Sequence, residues 1–79
     1  MNNTEKLHQA FMEGLSIPKN AVHPELAYQE IAAWDSISHI FLITTLEETF
    51  HIRIQTEDIL EMSSYSKIIE ILKKYDILF

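Results

Sequence analysis

Only one stretch of the chain, His51-Ile52-Arg53-Ile54, alternates polar and apolar side chains as a strand does, and nothing else in the 79 residues offers it a partner. Four residues without a second strand cannot form a sheet, so this stretch reads as an extended connector that buries Ile52 and Ile54, and the chain reads as all-α. Elsewhere apolar residues recur at steps of three and four. Leu7, Phe11, Met12 and Leu15 share one face of a helix over Thr4 to Leu15, which Asn3 or Thr4 can cap. Pro18 stops it, because proline lacks the amide hydrogen and drives the preceding residue out of the helical region. A long connector over Ala21 to Trp34 follows, with a short helical turn, Leu26, Tyr28 and Ile31 packing downward, and Trp34 sealing its end against the core.

Asp35 is a good N-cap for the longest helix, Ile37 to His51. At about 100° per residue, His39, Leu42, Ile43, Leu46 and Phe50 fall in one sector that faces the core, while Ile37, Phe41, Thr44, Thr45 and Glu48 lie on the opposite arc. Two large apolar side chains, Ile37 and Phe41, therefore stand outside the core stripe and form a candidate contact patch. Thr56, followed by Glu57 and Asp58, caps a short helix to about Glu61. Ser63 or Ser64 caps the last one, where Tyr65, Ile68, Ile69 and Leu72 face inward and Lys73 and Lys74 sit at the negative end of the dipole.

Length allows one domain, residues 1–79, and without cysteine its stability rests on a hydrophobic core with no disulfide or thiolate metal site. The net charge of -6 has the wrong sign for binding phosphate backbones and suits basic patches on other proteins. No apolar run approaches the roughly 20 residues that span a bilayer. The amino end, Met1 to Glu5, lacks the basic region and apolar run of a signal peptide, which makes a cytoplasmic, membrane-free protein the expectation. Oligomeric state stays open, with a small monomer the expectation. His8, His23, His39 and His51 match no metal-ligand spacing. A hydrolase built from Ser36, His39 and Asp58 lacks the Gly-x-Ser-x-Gly elbow.

The chemistry concentrates at Ser36. Its hydroxyl follows an acidic cap at the head of the central helix, where up to four backbone N–H groups lack intrahelical partners and the dipole is positive, so a phosphoester there is favoured. His39 lies one turn further on.

The order Asp35-Ser36-Ile37, then Leu46-Glu47-Glu48-Thr49-Phe50, then Ile52-Arg53-Ile54 and the acidic short helix resembles the acyl carrier protein family over nearly the whole chain, most strongly from Trp34 to Leu72. The resemblance implies a four-helix carrier bundle with a short third helix and a long first loop. It also implies that Ser36 receives 4'-phosphopantetheine from coenzyme A through a separate Mg-dependent phosphopantetheinyl transferase. The thiol of that arm would hold an acyl or aminoacyl group as a thioester for a loading enzyme and a downstream synthase or transferase, and the chain itself would be no enzyme. Asp35, Ile37 and His39 would flank the arm, and Ile37, Phe41, Glu47, Glu48, Glu57, Asp58 and Glu61 would dock partners. Many fatty-acid carriers have a glycine two residues before the aspartate and carboxylates in the first turns of this helix. Here Ala33 and Ser38-His39-Ile40-Phe41 stand instead, which implies more apolar docking and a specialised polyketide, nonribosomal-peptide or related pathway. The alternative is a carrier-like helical interaction module without a prosthetic group.

Overall fold

The computed structural model describes residues 2–79; Met1, the first residue of the amino-end stretch read above, lies outside them. Four α-helices account for most of the described chain: α1 (Asn3–Leu15), α2 (Ser36–Phe50), α3 (Thr56–Glu61) and α4 (Tyr65–Lys74). A single 3-10 turn, Lys19–Ala21, begins the long connector between α1 and α2, and residues 51–55 run extended to α3. The protein is a small all-α bundle around one apolar core. Among the described residues no helix is long and apolar enough to cross a membrane.

Helix α1 starts one residue earlier than the spacing predicts. Asn2 is extended and its side-chain oxygen accepts from the Glu5 N–H at 2.8 Å, while the Asn3 side chain donates to the Leu78 carbonyl at 2.9 Å and ties the first helix to the carboxyl end. The inner face of α1 is Leu7, Ala10, Phe11, Gly14 and Leu15, with Met12 half-buried beside it. Gly14 allows a close approach: a Cβ there would lie 2.7 Å from Leu42 Cα, so α1 and α2 meet nearly backbone to backbone.

The connector is short on regular structure but well tied. Its Tyr28 N–H donates to the Ser63 carbonyl at 2.8 Å, and the Tyr65 N–H donates to the Leu26 carbonyl at 2.9 Å, so Ala27 and Ser64 form one isolated antiparallel bridge. Gln29 takes a left-handed conformation (φ 66°) and its N–H donates to the Trp34 carbonyl at 2.9 Å, which closes the last turn before α2. Leu26 and Trp34 are completely buried; Tyr28 and Ile31 are half-buried against the core. Trp34 packs edge-on to Phe11 (centroids 5.6 Å, 79°) and to Tyr28 (6.3 Å, 83°), as a ring sealing a loop onto a core does.

In α2 the predicted stripe is buried at Leu42, Ile43 and Leu46, while Phe50 is half-buried and meets the Phe79 ring near the carboxyl end. The helix ends at Phe50, not His51, because His51 adopts the left-handed C-cap conformation (φ 55°) and returns its N–H to the Glu47 carbonyl. In the connector Ile54 is buried and Ile52 only half-buried. Thr56 does not cap α3. Gln55 occupies the cap position, its backbone held by the Gln55 N–H donating to the Tyr75 hydroxyl at 3.0 Å, and Thr56 becomes the first helical residue. Of the two candidates for α4, Ser64 is the cap, its hydroxyl accepting from the Lys67 N–H at 3.1 Å. The inner face of α4 is Tyr65, Ile68, Ile71 and Leu72; Ile69 is half-buried.

Candidate functional site at the head of α2

Ser36 is the first residue of α2 and is exposed. Asp35 stays extended while its Oδ1 accepts from the Ser38 N–H at 2.9 Å and its carbonyl accepts from the His39 N–H at 2.8 Å, so the first turn is closed by one residue's side chain and backbone together. The Ser38 backbone N–H, stabilising the charged carboxylate, holds the Asp35 carboxyl below its ordinary value.

Behind this turn lies a polar seam inside the aromatic cluster. The Trp34 indole N–H donates to His39 Nδ1 at 3.0 Å. An indole N–H can only donate, so Nδ1 accepts, Nε2 carries the proton, and that N–H donates to the Ile59 carbonyl at 2.9 Å. The two rings lie nearly parallel and meet edge to edge through this bond (centroids 6.1 Å, 22°), and the Tyr28 ring stands at an edge to the imidazole (5.5 Å, 62°). His39 therefore bridges the connector to α3. A cleft of about 130 Å³, lined by Tyr28, His39, Ile59, Leu60, Met62 and Ser63, opens along the same seam.

Near its start the outer face of α2 is apolar; further along it carries the exposed Thr44 and Glu48. Ile37 and Phe41 are 69 % and 62 % exposed, and two residues that sequence reasoning did not single out accompany them: Ile40 on α2 at 58 % and Leu60 on α3 at 79 %. Ile40 sits three residues after Ile37, so helical spacing carried its signal. Leu60 lies in a helix too short for a stripe to be read. Along the axis Phe41 is about 8 Å from Ser36 and Glu48 about 18 Å, at 1.5 Å per residue.

The acidic residues divide. Glu48, Glu57 and Glu61 are exposed. Glu47, expected on a docking edge, is half-buried, and its Oε2 accepts from the Ile54 N–H at 2.8 Å, which fastens the extended connector to α2. Asp58, expected on an acidic rim, is only 4 % exposed. Its two oxygens accept from Lys74 Nζ at 2.7 Å and from the Tyr75 hydroxyl, because a carboxylate that α3 turns inward requires compensating donors from α4 and its end. Those hydrogen bonds, from Lys74 first and then Tyr75, hold Asp58 below the usual carboxylate value and raise Lys74 above its own. The Ser36, His39 and Asp58 combination is not assembled: the nitrogens of His39 and the oxygens of Asp58 are engaged with other partners.

The other histidines lie apart. His8 Nε2 is 2.7 Å from the Tyr65 hydroxyl, His23 Nδ1 is 3.3 Å from Glu25, and His51 forms the α2 C-cap. No group of three or more metal-ligating side chains converges among the described residues. Fold and site together define a small helical bundle with an exposed serine at the head of its central helix. In comparisons with protein-family models and with curated proteins, nothing matches this chain.

Proposed function

We propose that the chain is a carrier in which Ser36 bears a phosphopantetheine arm and delivers an activated acyl or aminoacyl group to partner enzymes. The observation that carries this reading is the exposed Ser36 hydroxyl on the first residue of α2, in a turn closed by Asp35 and backed by the buried Trp34. The residues there fit a phosphodiester: the hydroxyl is reachable by a modifying enzyme, and the helix start favours an anion. When bound, the arm supplies a terminal thiol that holds cargo as a thioester. Ser36 is the attachment point, Asp35 keeps its turn in register, and tethering raises the concentration of the cargo at a docked partner.

Ile37, Ile40 and Phe41 beside Ser36, with Leu60 across on α3, give docking an apolar centre, and the exposed carboxylates Glu48, Glu57 and Glu61 give it an acidic surround. This balance favours a dedicated partner of a specialised biosynthetic pathway. The same four exposed side chains also favour a second reading, an interaction module with no prosthetic group. Incubation with coenzyme A and a promiscuous phosphopantetheinyl transferase separates the two by intact mass. The carrier gains one arm and Ser36→Ala gains none; a folded wild-type protein that gains nothing is the module.

A further inference from the structure

The seam beneath Ser36 contains a titratable side chain, His39, that joins the connector, α2 and α3, and its hydrogen bonds require a single protonation state. His39 Nδ1 must be bare to accept from the Trp34 indole N–H, and Nε2 must carry hydrogen to donate to the Ile59 carbonyl. Adding a proton to the ring changes only one of these contacts. Nε2–H still donates to Ile59, but Nδ1 becomes an N–H that faces another N–H, and two donors cannot bond. The fully buried indole then loses its acceptor.

We propose that His39 is a proton-sensitive latch: in its neutral Nε2–H form it fastens the Trp34 end of the connector to α2 and α3, and on protonation it releases Trp34 while keeping its hold on α3. Among the described residues no other titratable side chain hydrogen-bonds to the ring. On its own helix, Asp35 is four residues away with Oδ1 on the Ser38 N–H. From α3, Asp58 is turned to Lys74 and Tyr75, and Glu57 and Glu61 are exposed. From the connector, Tyr28 presents a ring edge and Glu30 is exposed. The residue released stands two positions before Ser36, within the turn that the Gln29 N–H closes on the Trp34 carbonyl. Acid therefore loosens the approach to Ser36 and leaves the α2–α3 contact in place. This inference stands whether or not Ser36 is ever modified.

Trp34 is the only tryptophan, so its indole N–H gives one assignable nuclear magnetic resonance signal. The full chain, labelled with nitrogen-15, is titrated between about pH 8 and pH 5, the range in which histidine side chains change charge. Ring nitrogen shifts report the tautomer and protonation of His39. The latch predicts an Nε2–H tautomer in the neutral form. It also predicts that the indole signal moves, and exchanges with solvent roughly tenfold faster, with the same midpoint as His39 protonation. In His39→Gln, which cannot titrate, the indole signal loses that transition; should this variant fail to fold, the wild-type titration decides alone. An Nδ1–H tautomer, a His39 that stays neutral across the range, or an indole signal indifferent to His39 protonation overturns the proposal, as does a transition that survives in folded His39→Gln.

Discussion

Ser36 owes its setting to two neighbours that face opposite ways. Trp34 is wholly buried and anchors the connector from beneath, whereas Asp35 is exposed and closes the helix turn from outside. Similar contrasts run through α2, where Leu46 is fully buried and Phe41 is 62 % exposed. Truncating a buried leucine removes apolar contact and leaves a cavity, so Leu46→Ala lowers unfolding free energy by about 2–5 kcal/mol, whereas Phe41→Ala changes it by less than about 0.5 kcal/mol. Urea denaturation of both variants checks this, and similar losses would mean that the outer face is not free. Gly14 gives a second case. Alanine gains about 1 kcal/mol of helix propensity, but a Cβ 2.7 Å from Leu42 Cα forces the two helix backbones apart, and overpacking costs about 1–3 kcal/mol. Gly14→Ala is therefore destabilised by up to about 2 kcal/mol in the same measurement, while a more stable variant would contradict the close approach.

Element by element, α3 is the part least able to stand alone. Six residues are too few for a stable isolated helix, and it is held by side chains from elsewhere: Glu47 on the Ile54 N–H, the Tyr75 hydroxyl on the Gln55 N–H, Lys74 and Tyr75 on Asp58, and His39 on the Ile59 carbonyl. The Asp58 carboxyl is lowered in the folded state, so its stabilisation is fully present above the unfolded value of about 3.9 and is lost as pH falls through the lower folded value. Asp58→Asn is accordingly less stable than wild type at neutral pH, and the gap in urea midpoint narrows on acidification; a gap independent of pH would contradict the linkage. The long helices were legible because their stripes repeat: Leu42, Ile43 and Leu46 declared the inner face of α2, and Asp35 its start. The ties of α3 were not, since Glu47 and Asp58 look like any surface acid until tertiary packing brings the Ile54 amide and Lys74 to them. Ile40 was legible from its spacing and was passed over, while Leu60 has no periodic context to betray it.

At the scale of the whole molecule, an acidic chain with net charge -6 presents an apolar patch beside its exposed serine. If the chain is the proposed carrier and that patch dominates docking, Phe41→Ala weakens transfer of cargo to the partner more than Glu48→Ala does, and added salt reduces transfer only modestly. Equal or reversed effects of the two substitutions, or loss of transfer at moderate ionic strength, would contradict apolar docking. The acidic composition and the helical architecture could be read directly from residue types, but the order of motifs around Asp35-Ser36 is what pointed to a carrier. The account's central claim is a covalent one at Ser36, and trypsin offers a direct test, because no lysine or arginine lies between Lys19 and Arg53. After treatment with coenzyme A and a phosphopantetheinyl transferase, fragmentation of the peptide spanning residues 20–53 should place a phosphopantetheine on Ser36. An unmodified peptide, or an arm on Ser38 or a threonine, would contradict the claim.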